Sequence, residues 1–306
     1  MNKELALFGH DLFGDPVRPP QAPVAARFAF PPFSILDAKQ GDWRARKRAW
    51  LDMGIKGEVG RDANLLNISS TIAAEFGEGM QTSSVFDPVL CELAYRWWCP
   101  EGGQVVDPFA GGSVRGIVAG ALGRRYWGCD LRQEQIDANE MQGDEIAIEP
   151  RPVWVCDDAL DCLDESPYAD FVFSCPPYGD LEKYSDDPRD LSNMEWHTFV
   201  AEYKRIVLRA VKRLKPDRFA CFVVGDFRDS KGFYRNFVSE TIAGFEACGA
   251  RLYNEAILAT SIGSASMRVS KQFAAGRKLA KVHQNVLVFC KGDWRRACAK
   301  LPDLPA

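Results

Sequence analysis

From Gln104 to Cys290, short apolar runs alternate with helix-length amphipathic segments, and most of the runs end in an acid or a polar turn. A short run rich in Val, Phe and Ile is a buried strand. Apolar residues recurring every third or fourth position are a helix face. Strands are expected over Gln104–Asp107, Tyr126–Asp130, Val153–Val155, Phe171–Phe173, Phe219–Val224, Arg251–Leu258 and Asn285–Cys290. Helices are expected over Pro88–Trp98, Val114–Leu122, Arg132–Met141, Met194–Leu214 and Phe233–Cys248. Parallel neighbours need such crossover segments, so the alternation predicts an α/β fold with a doubly wound, mostly parallel sheet. The last two strands are separated by an irregular stretch, 259–284, so one of them is expected to be an antiparallel edge strand. The chain divides into an N-terminal extension (1–80), a sheet domain (81–293) and a short tail (294–306). The first thirty residues are rich in Pro and Ala and are expected to be extended over the domain.

Composition narrows the partners. Of 306 residues, 46% are hydrophobic and 26% charged, as in an ordinary globular chain. No apolar stretch is long enough to span a bilayer, and MNKELALFGHDLFGDP has no signal-peptide pattern, so no membrane partner is expected. Ten cysteines, none in CxxC spacing, read as reduced thiols of an intracellular protein; a cytoplasmic monomer or homodimer is expected. With three histidines, none near a cysteine pair, no metal site is expected. The net charge of −4 excludes a strongly basic nucleic-acid coat but leaves room for local basic surfaces.

Two such surfaces stand out. Asp42 to Met53 is a basic helix, with Asp42 as its cap and Trp43, Trp50 and Leu51 as its apolar side. Arg44, Arg46, Lys47 and Arg48 line the rest and read as phosphate contacts or as a solvated face. The second, 256–292, contains no acid and carries Arg268, Lys271, Arg277, Lys278 and Lys281. It reads as a nucleic-acid-binding loop held by phosphate contacts.

Three strand ends carry the chemistry of one ligand. DPFAGGS, Asp107 to Ser113, is a glycine-rich turn that opens a helix, so backbone and helix N–H groups can approach a ligand. It is not GxGxxG and lacks the lysine of a P-loop. Asp130 ends the next strand, where an acid can accept both hydroxyls of a ribose, and Asp158 follows the one after. A fourth strand runs into FVFSCPPYGD, Phe171 to Asp180. Neither proline can donate to a ladder, so the strand stops in a rigid turn. That turn presents the Cys175 thiol, the Pro176 carbonyl and the Tyr178 ring.

The combination of DPFAGG, Asp130, Asp158 and the PPY turn resembles S-adenosylmethionine-dependent DNA methyltransferases of the exocyclic-amine class, which make N4-methylcytosine or N6-methyladenine. VFDPVLCELAYRWWCPEGGQVVDPFAGG and HQNVLVFCKGD are also similar to that class. The resemblance covers about 82–293, and 31–76 resembles phage-encoded members. It implies a Rossmann-like class I methyltransferase fold, S-adenosyl-L-methionine as cofactor and DNA as partner. By the resemblance, Phe86 and Asp107, Pro108, Phe109, Ala110, Gly111 and Gly112 would hold the cofactor's methionine end. Asp130 and Leu131 would hold the ribose and Asp158 the adenine. The turn Pro176, Pro177 and Tyr178 would hold a base flipped from its stack, since a base amine inside a duplex is unreachable. Tyr178 would stack on that base, while the Pro176 carbonyl and the side chain at 175 accept the amine's hydrogens. Two acceptors favour a pyramidal nitrogen whose lone pair faces the sulfonium methyl.

The class usually has Asp, Asn or Ser before PPY, and here it is Cys175. A thiol is a weak acceptor. Three routes follow: Cys175 accepts imperfectly, Ser174 reaches around it, or Cys175 is a nucleophile as in carbon-5 pyrimidine chemistry. A neutral group at 175 leans toward cytosine N4. N6-adenine methylation, RNA amine methylation and a lapsed nucleic-acid-binding protein are the alternatives. No sizeable recognition segment stands apart, which implies a short or relaxed target sequence.

Overall fold

The computed structural model describes residues 29–56, 86–179, 183–260 and 265–302, without the side chains of 265–268 and 271. The expected extended N-terminus lies almost wholly outside the described residues, and so do the side chains of Arg268 and Lys271.

In chain order the elements are β1 (Ile35–Asp37), α1 (Gly41–Asp52), α2 (Pro88–Trp98), β2 (Gln104–Asp107), α3 (Val114–Ala121), β3 (Arg125–Asp130), α4 (Gln133–Ile146) and β4 (Val153–Cys156). There follow α5 (Ala159–Cys162), β5 (Ala169–Ser174), α6 (Trp196–Arg213), β6 (Leu214–Val224), α7 (Phe237–Ala247), β7 (Ala250–Ala259), α8 (Ala265–Gly276), β8 (His283–Lys291) and α9 (Trp294–Cys298). The eight strands form one sheet in the order β1-β7-β8-β6-β5-β2-β3-β4. The run from β6 to β4 is parallel throughout. β8 is antiparallel to both β6 and β7. It is third from one edge rather than at the edge itself, because β1 from the N-terminal extension pairs in parallel outside β7, Ile35 to Asp37 against Ile257 to Ala259. This is the doubly wound, Rossmann-like sheet that the alternation predicts.

Strand periodicity explains the two layers. Phe171 and Phe173 of β5 face one core with Trp43, Trp50, Tyr95 and Ile117. Ala169 and Val172 face the other, with Phe199, Tyr203 and Phe237. Because both faces are covered, the central strands read as continuous apolar runs rather than alternating ones. In α6, Phe199, Tyr203, Ile206, Val207 and Ala210 are buried at helical spacing.

Some boundaries differ from expectation for local reasons. Asp42 does not cap α1; Gln40 occupies the cap position and Asp42 lies in the first turn. Leu51 is exposed, and Trp43 and Trp50 alone bury the helix. The stretch 259–284 is not wholly irregular, because its Ala, Ser, Met and Gln form α8 where no proline interrupts. α7 begins at Phe237 rather than Phe233, because residues before it form a turn closed by a bridge between Arg228 and Tyr234.

Candidate active site

The parallel strands β2, β3, β4, β5 and β6 all end at one edge of the sheet. The antiparallel direction of β8 brings its first residues, His283 and Gln284, to that same edge. There a single cleft of about 1090 Å³ runs past Phe86, Gly111, Asp130, Asp158, Cys175, Tyr178 and Gln284. The order reverses between β2 and β5, and ligands of open α/β sheets bind outside such a switch point.

Asp107 joins the two sides of that switch. Its carboxylate accepts from the Ser174 hydroxyl, the Phe109 N–H at 3.1 Å, Arg115 Nε at 2.6 Å and the Tyr126 hydroxyl at 2.7 Å. Arg115 also donates to the carbonyls of Phe109 (2.5 Å) and Ala110 (2.9 Å), so a buried cation clamps the glycine-rich turn from below. Gly111 has φ +50°, a conformation costly for any side chain, and its N–H donates to Asp130 at 3.1 Å. This corrects three expectations. Asp107 and Ala110 are buried and do not line the cleft, and Ser174 is buried with its hydroxyl committed to Asp107. Ser174 therefore does not reach around Cys175. Pro108, Phe109, Gly111 and Gly112 do line the cleft, as does Phe86, whose ring lies 4.6 Å from the Arg115 guanidinium carbon.

The two acids sit at adjacent strand ends. Asp130 accepts the Arg132 N–H at 3.0 Å besides that of Gly111, which fixes its plane. Burial pushes its carboxyl above the ordinary range, against the pull of Arg132. Asp158 caps α5 by accepting the Leu160 N–H at 2.8 Å, and burial raises it too. Leu131 lines the cleft between them. Arg189, in the loop after the PPY turn, also lines the cleft; it is held by Asp187 at 2.8 Å and faces the charges of Asp157 and Asp158.

Cys175, Pro176, Pro177 and Tyr178 all line the cleft. The Tyr178 hydroxyl accepts from Gln284 Nε2 at 2.8 Å, and the ring packs edge-on against Phe227 and Phe237. Burial pushes its phenol well above the ordinary range, so it stays protonated. Nothing in the sequence pairs Gln284 with Tyr178, 106 residues away. Their meeting depends on β8 running antiparallel. Asp226 and Phe227, after β6, were likewise not singled out from sequence, although they follow a strand end as Asp130 does.

The basic residues divide. Arg46 grips Glu92 through two nitrogens, at 2.8 and 2.5 Å, and Trp50 Nε1 donates to the same carboxylate at 2.9 Å. Lys47 pairs with Asp87 at 3.1 Å, and Trp43 Nε1 donates to Asp87 at 3.2 Å. Arg46 and Lys47 thus tie α1 to α2, and Lys47 also lines the cleft. Arg44 and Arg48 are exposed. Arg277 and Lys278 are exposed after α8. Lys281 lines the cleft, where burial lowers its ammonium below the ordinary lysine range. Among the described residues no cluster of His, Cys, Asp or Glu is arranged to hold a metal, and no helix is long and apolar enough to cross a membrane.

No family profile and no curated protein matches the sequence. Solved structures do match. TrmN from Thermus thermophilus is 14% identical over 67% of this chain, at a TM-score of 0.46, and the chain spans about half (49%) of it. PH1948 from Pyrococcus horikoshii, a candidate RNA methyltransferase, is 14% identical over 81% of this chain and 100% of its own, at a TM-score of 0.49. Magnesium protoporphyrin IX methyltransferase from Synechocystis PCC 6803, solved with bound SAM, is 9% identical over 63% of this chain and 71% of its own, at a TM-score of 0.40.

Proposed function

We propose that this protein transfers the methyl group of S-adenosyl-L-methionine to the exocyclic amine of a DNA base, with N4 of cytosine as the target and a short or relaxed recognition sequence. The observation that carries this reading is the single cleft shared by the glycine-rich turn, both strand-end acids and the PPY turn. At about 1090 Å³ it is at the upper end of small-molecule sites, room for a nucleoside-bearing cofactor and one extruded base.

The residues fit such a cofactor. Asp130 is oriented by two N–H groups and retains lone pairs for a ribose diol. Asp158 stands one strand further, where an adenine amine would donate. Gly111 and Gly112 line the cleft without side chains, so backbone can lie against the methionine end. The cofactor supplies an electrophilic methyl group on a sulfonium. The rest of the chemistry belongs to the turn. The Pro176 carbonyl accepts one amine hydrogen, in a turn whose two prolines carry no N–H to extend the strand's ladder. Cys175 is the second, weaker acceptor, because the Ser174 hydroxyl is already spent on Asp107. The Tyr178 ring, held by Gln284, Phe227 and Phe237, forms the face on which the base stacks. A neutral side chain at 175 favours cytosine.

Methyl-labelled cofactor offered with duplex DNA, single-stranded DNA or RNA tests the reading. Label is expected in DNA. Label confined to RNA would overturn the DNA assignment, and label in none of the three would overturn methyl transfer to nucleic acid.

A further inference from the structure

Beside the cleft, between β6 and α7, lies the turn RDSKGFYR, Arg228 to Arg235. It belongs to neither basic segment noted in the sequence. Its first and seventh residues, Arg228 and Tyr234, line the cleft next to Phe227. The turn is internally fixed. The Phe233 N–H donates to Asp229 Oδ1 at 2.9 Å, and the Asp229 N–H donates to the Phe233 carbonyl at 2.9 Å. The Arg228 guanidinium donates to the Gly232 carbonyl at 2.9 Å and lies over the Tyr234 ring at 4.0 Å. Gly232 has φ +92°, and Lys278 from the segment after α8 packs directly against it.

This stiff turn holds a large aromatic ring in water. Phe233 is 71% exposed, and Leu279, next in sequence to Lys278, is 70% exposed while also lining the cleft. The turn's one carboxylate between Arg228 and Arg235 is used on its own backbone, so the outward charge comes from exposed Lys231 and Lys278. A burial role does not explain a pinned, exposed phenylalanine. An aromatic tip flanked by cations suits a nucleic acid, whose phosphates meet the cations and whose bases stack on the ring.

We infer that Phe233 is a wedge: it enters the base stack of duplex DNA where the target nucleotide leaves, with Lys231 and Lys278 on the flanking phosphates. This rests on the function proposed above. Extruding a base sacrifices its stacking, and an inserted apolar side chain recovers part of that. Single-stranded DNA has no such cost, so the wedge matters for duplex alone.

The test uses the full chain, methyl-labelled cofactor, and random-sequence DNA presented as duplex or as separated strands. Phe233→Ala is expected to lower the duplex-to-single-strand ratio of methyl transfer about tenfold, and Phe233→Trp to restore most of it. Because the side chain is exposed, the melting temperature should not move, which separates the effect from misfolding. A ratio unchanged in Phe233→Ala, with wild-type protein active, would overturn the wedge alone. Absence of label in DNA with wild-type protein would overturn the functional reading beneath it.

Discussion

Asp107 and Cys175 differ in where they sit: Asp107 is buried beneath the glycine-rich turn, and Cys175 lines the cleft. Asp107 carries a buried charge opposite buried Arg115 and accepts from four donors. That satisfaction is what makes the pair tolerable, since an uncompensated buried charge costs about 3–5 kcal/mol. The family resemblance implied that Asp107, at the head of the glycine-rich turn, holds a ligand. Its burial could not be read there, because it depends on Tyr126 and Ser174, which other strands supply. Cys175 is the opposite case: its identity was legible, and its role depends on Ser174 being engaged elsewhere. Cys175→Ser offers a better acceptor and should keep methyl transfer within about threefold of wild type, while Cys175→Ala should lower kcat about tenfold, ~1.4 kcal/mol, with KM for the cofactor unchanged. Steady-state kinetics decide this. Loss of all activity in Cys175→Ser, together with a covalent adduct on a 5-fluoropyrimidine substrate, would show that the thiol is a nucleophile instead.

At the scale of elements, α1 is a structural brace with an outer charged face. Glu92 is buried beneath Arg46, Arg96 and Trp50. Arg46→Ala should therefore destabilise the fold by about 2 kcal/mol. Arg44→Ala and Arg48→Ala, on the exposed side, should leave stability unchanged, and if they meet phosphates each lowers the salt dependence of DNA binding by about one unit of slope. Denaturant titration and salt-dependent binding separate the two groups. From sequence all these cations looked alike, because a buried glutamate forty-odd residues away is invisible to a local pattern. The C-terminal helix α9 offers a second check. Asp217, at the start of β6, accepts from Arg296 Nε at 2.6 Å and from the Asp293 N–H at 2.7 Å, and the Arg296 bond holds its carboxyl down at about 2. The folded value lies below the unfolded one, about 3.9. The stabilisation is thus complete above about pH 4 and is lost as pH falls through about 2. Asp217→Asn, which tolerates the left-handed backbone there (φ +55°), should be less stable than wild type at neutral pH by an amount that shrinks as pH falls below about 4 and vanishes only below about 2. A constant difference across that window would contradict the assignment.

At the scale of the whole molecule, the sheet was the most legible part. The alternation of period-two and helical segments is local, and it dictates parallel crossovers whatever the partners. Non-local geometry was less legible. β1 pairs with a strand more than two hundred residues later, and the antiparallel course of β8 delivers Gln284 to Tyr178. The rim turn with Phe233 escaped notice because exposure, not composition, distinguishes it. The net charge of −4 is no obstacle to a nucleic-acid partner if cations gather at one rim and acids lie inside as cofactor ligands. Methylation of a DNA base at its exocyclic amine is the activity proposed for this cleft. Nucleoside mass spectrometry of DNA from cells expressing the protein tests it most directly. N4-methylcytosine is expected with wild-type protein and none with a Tyr178→Ala variant; DNA free of any new methylated base, or carrying only 5-methylcytosine, would overturn the proposed activity.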